Sequence, residues 1–211
     1  MFDSYYNLRE HFSIIAQRFK PLRVTVTDRP EEIPSAFFPK HNYDVACLVL
    51  PERTIQTIES AHKALVKKSS YFDRSEIYAS SCPQGECSIS ESYARTPTEK
   101  GYIDETKALF RAFTNAISSA FSEDFTLEYH EKSPLILHRD NEEYICVFNL
   151  SSSKEQIEIP NLYKTNEIPL NSVLFFTNKL WHQSSLKDER RQFLNASLMK
   201  FPDNNAAAHQ I

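Results

Sequence analysis

Apolar residues recur every three or four positions in three segments of the first half of the chain, which predicts three amphipathic helices. Pro21 marks the end of the first helix and Pro51 the start of the second, and the third is expected over roughly Asp104 to Phe121. We expect the first helix to bury its stripe, and we interpret His62 in the second as a core or boundary histidine. The three stripes are Leu8, Phe12, Ile15 and Phe19; Ile55, Ile58, His62 and Leu65; and Leu109, Phe113, Ile117 and Phe121.

The second half of the chain has a different rhythm, with short apolar or alternating segments separated by turn residues. Several short strands at close intervals are typical of a β-sandwich or barrel. Two earlier segments, "LRVTVT" and "DVACLVL", also read as strands. The later strands are predicted in "FTLEYHE", "LILHRD", "EYICVFNL", "QIEI", "SVLFFT", "WHQSS" and "RQFLNASLMKF".

This order of elements predicts an α+β fold in which N-terminal helices support a small all-β unit. We expect one domain over residues 1–211, with a helix-rich support and lid region at 1–124, barrel strands at 125–201 and a tail at 202–211. The lid would come from residues 69–101, which are polar, Ser-rich and weakly periodic. A loop of that length inside a compact domain is usually functional or mobile.

Composition excludes several function classes. The formal net charge of -4 and the spread of basic residues along the chain argue against a nucleic-acid partner. No stretch approaches the ~20 apolar residues of a membrane span, and the N-terminus lacks a signal-peptide pattern, so we expect a soluble, cytoplasmic protein. The 4 cysteines are scattered and are expected to be reduced thiols, while the 2 glycines exclude a Gly-rich phosphate loop.

The chemistry is expected around His138 and Asp140, which interrupt an apolar, strand-like segment. Residues two apart in a strand share a face, so both side chains would project into one space. His182, after the strand "SVLFFT", is the candidate for a third ligand. Two imidazoles and one carboxylate form the facial triad that suits non-haem Fe(II) and leaves positions open for other ligands. Taken alone, the His-x-Asp pair would read as a solvated strand end.

Two further residues agree with a binding site. Arg191 opens the last strand, and its guanidinium would be costly inside a barrel unless it met a carboxylate, which its planar fork fits. Tyr129 lies on the strand before His138 and could bring its phenol to the same cavity. Arg190 is the rival of Arg191, because strand alternation sends the two to opposite faces.

The order of these residues within "SPLILHRD", "VLFFTNKLWH" and "RRQFLNASL" resembles the Fe(II)/2-oxoglutarate-dependent dioxygenases, especially their prolyl hydroxylase-like branch, over about Phe125 to Phe201. The resemblance implies a double-stranded β-helix, which is a jelly-roll or cupin-like barrel. It also implies Fe(II), 2-oxoglutarate as cosubstrate and dioxygen. The implied roles are Fe(II) ligation by His138, Asp140 and His182, pairing of Arg191 with the distal carboxylate of 2-oxoglutarate, and a hydrogen bond to it from Tyr129.

The chain departs from the family pattern in three respects. Asn149 stands where relatives often place an aromatic hydroxyl for the cosubstrate, the interval from His138 to His182 is only 44 residues, and the family's usual glycines are missing. Tight connections between strands are therefore expected.

The implied reaction is hydroxylation with release of succinate and CO2. The carboxylate of Asp140 disfavours halogenation, while desaturation, ring formation and demethylation remain compatible with the triad. We expect a small-molecule substrate such as an amino acid or biosynthetic intermediate, with no nucleic acid and no membrane as partner. The alternatives are a hydroxylase of a protein or peptide side chain, a cupin-like metal site that does not use 2-oxoglutarate, and a non-catalytic cupin-like binding protein. The sequence does not determine the oligomeric state.

Overall fold

The structure is a computed structural model. It describes residues 12–17, 19, 22, 24–33, 45–70, 76–81, 87–89, 103–121, 125–132, 137–140, 144–150, 157, 159, 169, 171–183 and 191–198.

The described strands form one mixed sheet of 8 strands in the order β1-β2-β7-β6-β8-β5-β3-β4. Strands β1 and β2 pair in parallel, and the other neighbouring strands pair antiparallel. The central strands are rich in β-branched and aromatic residues, which pack well on a pleated surface. The 8 strands have these bounds: β1 Val24–Thr27, β2 Val45–Val49, β3 Glu76–Ser81, β4 Cys87–Ile89, β5 Phe125–Lys132, β6 Tyr144–Asn149, β7 Ser172–Thr177 and β8 Arg191–Leu198.

Two helices, α1 (Glu52–Lys68) and α2 (Ile103–Ile117), pack on one face of this sheet, which we call the helix face. Short 3-10 turns cover Pro30–Glu32 and Ser118–Ala120. The predicted stripes of α1 and α2 are buried, and their apolar members belong to the core of the helix face. The helix face also carries Leu127, Cys146, Phe148, Phe175 and Leu194 from the strands.

The opposite side of the sheet, which we call the second face, has its own smaller apolar cluster. Strand alternation separates the two faces within each strand: Leu174 and Phe176 of β7 lie on the second face, and Val173 and Phe175 lie on the helix face. The cluster of the second face consists of Val45, Cys47, Ile145, Val147, Ile157, Ile159, Leu174, Phe176, Leu180 and Phe193.

The arrangement of helices on one face of a mixed sheet agrees with the predicted α+β class. Closure of the strands into a double-stranded β-helix and the division into three regions stay predictions. The tail at 202–211 lies outside the described residues. Among the helices that the structure describes, none is both long and apolar enough to cross a membrane.

Two expectations are wrong. Residues 12–17 are helical as predicted, but the described part of the predicted stripe is not buried: Phe12 is 65%, Ile15 44% and Phe19 83% exposed, while Gln17 is only 1% exposed. Leu8, the remaining member of the stripe, lies outside the described residues. The segment 69–101 is not one long loop, because β3 and β4 within it join the sheet. Polar and Ser-rich strands lack the apolar alternation that predicts a strand. Most of the rest of that segment, including any lid, lies outside the described residues.

Candidate metal centre

His138 and His182 lie opposite each other in a short antiparallel bridge outside the main strands. The His138 amide donates to the His182 carbonyl at 2.9 Å, and the His182 amide donates to the His138 carbonyl at 3.0 Å. Residues that exchange both bonds in this way present their side chains on the same side. The ring centroids are accordingly 4.3 Å apart. Two backbone hydrogen bonds therefore bring together residues that are far apart in the sequence.

Asp140 completes the cluster. The two-residue spacing predicted that its carboxylate shares a side with His138, and the structure places Asp140 Oδ1 3.5 Å from His138 Nε2. The other oxygen, Oδ2, lies 3.2 Å from His182 Nε2. One ligand atom from each of the three residues lies within 4.8 Å of the others. The structure thus brings together the three residues that the sequence predicted as ligands.

The donor set fits a divalent metal ion. Nitrogen and oxygen ligands bind such ions at about 2.1 Å, so two ligand atoms at a right angle are separated by about 3 Å, close to the measured nitrogen–oxygen distances. His182 is buried at 4% exposure, whereas His138 and Asp140 are half-buried. The cluster is therefore held on one side by protein and accessible on the other, as a metal site with open coordination positions requires.

The hydrogen bond of the second ring nitrogen supports the same conclusion. His182 Nδ1 lies 3.1 Å from the carbonyl oxygen of Leu180, which can only accept, so this nitrogen carries a proton. In the neutral ring, Nε2 is then an acceptor that faces a carboxylate oxygen. That arrangement requires a cation between the two atoms, either a proton on the ring or a metal ion bound by both. Phe176 packs against the His182 ring at 4.8 Å between centroids and helps to fix its orientation.

Asp140 is held in its charged form. Burial by itself raises the pKa of the Asp140 carboxyl, but hydrogen bonds and charge interactions with His138 and His182 outweigh it and hold the pKa well below its ordinary value. A carboxylate that stays ionised to low pH is available as a metal ligand over the whole range in which the protein is expected to function.

Tyr129 is not brought into this cluster. It lies fully buried on the helix face, where its hydroxyl donates to Glu131 Oε2 at 3.3 Å and lies 3.1 Å from His62 Nε2 of α1. The cluster contacts the second face through Phe176. The expectation that the Tyr129 phenol reaches the cavity of His138 therefore disagrees with the structure, because the sheet lies between them.

Of the other predicted cosubstrate residues, the structure describes Asn149 fully and Arg191 only in its main chain. Asn149 ends β6 and is half-buried, and by the two-residue period of a strand it shares the second face with Ile145 and Val147. Arg191 opens β8, where it pairs with Lys132 of β5, but its side chain lies outside the described part of the structure. Arg190 lies entirely outside it, so the choice between the two arginines stays a prediction.

Sequence reasoning missed several polar residues on the second face. Glu128 and His130 of β5 form an ion pair, with 2.7 Å between Oε2 and Nε2, and His130 stacks on Phe193 of β8. Asn195 pairs with Glu128 across the strands, and its buried Oδ1 has no hydrogen-bond partner among the described residues. The sequence "FTLEYHEK" contains a signal for these residues, because apolar and polar residues alternate from Phe125 to His130 and a strand places the two kinds on opposite faces.

Comparison with known proteins gives distant structural similarity and no sequence match. Neither the family models nor the curated proteins match the chain. Among solved structures, IDO from Bacillus thuringiensis has a TM-score of 0.40 at 17% identity, covering 80% of this chain and 94% of that one. A bsmA homologue from Methylobium petroleophilum PM1 has a TM-score of 0.37 at 11% identity, covering 75% and 90%.

A third similar structure is TqaL, an Fe(II)/α-ketoglutarate-dependent dioxygenase, with a TM-score of 0.38 at 10% identity, covering 74% of this chain and 77% of that one. The superfamily and its prolyl hydroxylase-like branch are taken up below as part of the proposal.

Proposed function

We propose that the protein is an Fe(II)- and 2-oxoglutarate-dependent dioxygenase. The observation that carries the proposal is the cluster of His138, Asp140 and His182, whose ligand atoms lie within 4.8 Å of one another. Two imidazoles and one carboxylate on one side of a metal are the donor set of non-haem Fe(II) oxygenases. The motif order that resembles this superfamily supports the same reaction class.

In this proposal, His138, Asp140 and His182 hold the ferrous ion. When bound, iron and 2-oxoglutarate supply oxidation of a substrate C–H bond by dioxygen, with release of succinate and CO2. Asp140 contributes the negative charge, and the hydrogen bond to Leu180 keeps Nε2 of His182 directed at the site. The ring of Phe176 on the second face packs against His182 and limits the access of water from that side.

The proposed cosubstrate residues are Arg191, for the distal carboxylate of 2-oxoglutarate, and Asn149. Support for Arg191 is its position at the start of β8 and the fit between a guanidinium and a carboxylate. Support for Asn149 is its place beside the second-face residues of β6. Tyr129 is omitted, because its hydroxyl is engaged on the helix face.

We infer a small-molecule substrate, such as an amino acid or a biosynthetic intermediate, and hydroxylation as the outcome. The net charge of -4 supports this choice over nucleic acid. Asp140 fills the coordination position that halogenating relatives leave open, which supports hydroxylation over halogenation. Side chains of proteins or peptides are the alternative substrates.

The proposal is tested first by spectroscopy without oxygen. Addition of Fe(II) and 2-oxoglutarate should produce a visible metal-to-ligand charge-transfer band in the wild type. The band should be absent in His182→Ala and should need more 2-oxoglutarate in Arg191→Ala. Arg53→Ala, on the exposed surface of α1, is the matched control and should behave as the wild type. A normal band in His182→Ala would exclude this residue as a ligand.

Succinate release then tests the reaction and its substrate. Pools of metabolites and of peptides are added separately, and substrate-dependent succinate in one pool identifies the substrate class. Metal-dependent oxidation of a substrate that proceeds without 2-oxoglutarate, and proceeds equally well in Arg191→Ala, would favour a cupin-like metal enzyme that does not use 2-oxoglutarate. Failure of the wild type to bind Fe(II), together with no succinate even without prime substrate, would favour a non-catalytic binding protein.

A further inference from the structure

The main chain of Trp181, directly before His182, is held by the side chain of Gln17. Gln17 Nε2 donates to the Trp181 carbonyl at 3.0 Å, and the Trp181 amide donates to Gln17 Oε1 at 2.7 Å. Gln17 is 1% exposed although its neighbours Ile15 and Ala16 are exposed. One side chain from the N-terminal helical segment, residues 12–17, therefore satisfies both backbone groups of a residue 164 positions away.

Strand geometry explains why these backbone groups need a partner. In the bridge, the amide and carbonyl of His182 point toward His138, so the corresponding groups of the neighbouring residue Trp181 point to the other side. A buried backbone group without a partner costs about 1–3 kcal/mol. The primary amide of glutamine carries the same donor and acceptor as a peptide group, so Gln17 pairs with Trp181 as a residue of another strand would.

The side chain of Trp181 is held by two more contacts. Its indole Nε1 donates to Ser13 Oγ at 2.8 Å, and the guanidinium of Arg139 lies 4.8 Å from its ring centroid. Ser13 and Gln17 are four residues apart and so share one face of the helical segment. Arg139 lies between the ligands His138 and Asp140 in the sequence. Residues 12–17 thus contact both the main chain and the side chain of Trp181, directly before His182.

We propose that Gln17 is a positioning residue of the metal centre. It fixes the backbone of Trp181, and this fixes the position from which the His182 ring projects toward Asp140. The inference rests on the proposed function, because it gives Gln17 a role only where these side chains bind a metal. Residues that orient metal ligands without touching the metal typically change metal affinity about 10- to 100-fold when they are substituted.

The proposal has a reciprocal consequence. If Gln17 strengthens metal binding, metal binding must strengthen the attachment of residues 12–17 by the same factor. Addition of Fe(II) without oxygen should therefore slow amide hydrogen exchange in residues 12–17 of the wild type. The Gln17→Ala variant should show much less slowing.

The main experiment is an anaerobic titration of the full chain with Fe(II) alone. Gln17→Ala should raise the dissociation constant of Fe(II) about 10- to 100-fold. Gln17→Glu keeps the size of the side chain but replaces the donor to the Trp181 carbonyl with an acceptor, so it should also weaken binding. Gln56→Ala removes a glutamine whose side chain bonds Glu52 on the exposed surface of α1. This control should stay within twofold of the wild type.

Hydrogen exchange of the metal-free protein separates positioning from general destabilisation. With Gln17 replaced, exchange should become faster at Trp181 and His182 and remain unchanged in β6 and β7. Faster exchange throughout the sheet would show a merely structural role and would overturn the proposal. An unchanged Fe(II) affinity in both Gln17 variants would overturn it as well.

Failure of the proposed function would look different. If the wild type bound no Fe(II), the metal assignment would be lost, and with it the claim that Gln17 positions a metal ligand. If the wild type bound Fe(II) and the Gln17 variants bound it equally well, the metal site would stand and only the role of Gln17 would be lost.

Discussion

Replacement of Tyr129 by phenylalanine distinguishes the role that the sequence predicted from the one that the structure indicates. The substitution keeps the ring and removes the hydroxyl that contacts His62 Nε2 and Glu131 Oε2. All three side chains are buried, so water cannot easily replace the lost bonds. Each hydrogen bond contributes about 0.5–1.5 kcal/mol net, so we expect the free energy of unfolding to fall by about 1–3 kcal/mol.

Thermal unfolding measures this effect. A change of 1 kcal/mol shifts the melting temperature of a chain of this size by about 2–4 °C, so a loss of about 2 kcal/mol should lower it by about 4–8 °C. Thr57→Ala is the matched control, since it removes a hydroxyl that bonds the Arg53 carbonyl on the exposed surface of α1. We expect its change to stay within about 0.5 kcal/mol.

Under the proposed function, the KM for 2-oxoglutarate decides between the two roles. The structure predicts an unchanged KM in Tyr129→Phe, because the hydroxyl lies on the helix face. If the hydroxyl bound the cosubstrate, its loss in Tyr129→Phe would instead raise the KM about tenfold or more without a fall in melting temperature. That second result would refute the reasoning from the faces of the sheet.

Three further predictions concern stability and reactivity. Phe113→Ala removes a fully buried ring stacked against Phe148 and should lower the free energy of unfolding, measured in urea, by about 3–5 kcal/mol. A decrease of less than about 1 kcal/mol would contradict the packing. Because the folded-state pKa of Asp140 lies below its unfolded value of about 3.9, its ionised form stabilises the metal-free protein above that pH and this contribution is lost below it. Lowering the pH from about 5 to 2 should therefore reduce the free energy of unfolding, measured in urea, more in the wild type than in Asp140→Asn. Parallel pH dependences of the two proteins would contradict this. Burial raises the pKa of the Cys47 thiol to about 12. Iodoacetamide at pH 8 should therefore leave Cys47 unmodified in the native protein and alkylate it in urea. Equal rates of alkylation in the two conditions, followed by mass spectrometry, would show that the thiol is exposed.

The elements whose stability comes from apolar burial could be predicted from the sequence. The stripes of α1 and α2, the alternation in β5 and the continuous apolar runs of β6 and β7 record which side chains leave water, and the hydrophobic pattern of the sequence detects that property directly. Strands β3 and β4 were missed because they are polar and Ser-rich and lie toward one edge of the sheet. Backbone hydrogen bonds to a neighbouring strand hold such residues, and they leave no apolar pattern in the sequence.

The three residues of the candidate metal centre were predictable for two different reasons. His138 and Asp140 are two residues apart, and strand alternation alone places such residues on one side. His182 comes from a distant segment, and only its order after an apolar strand pointed to it. Tyr129 lies on the other side of the sheet, because it shares the face of β5 that carries Phe125 and Leu127; the distance from His138 along the sequence does not show which face a strand residue occupies. A side chain contributes to a cavity only if it lies on a strand that borders the cavity and also points to the face on that side.

The N-terminal helical segment shows the limit of reasoning from hydrophobicity most clearly. Its apolar residues predicted that Phe12, Ile15 and Phe19 would be buried, but the structure buries Gln17. Burial of an amide is favourable here because Trp181 offers a backbone donor and acceptor that would otherwise lack partners. That need arises only after the bridge between His138 and His182 has formed, so it is a property of the tertiary structure. Residues 12–17 are therefore held by hydrogen bonds to the main chain of Trp181, and a pattern of apolar residues contains no information about such bonds.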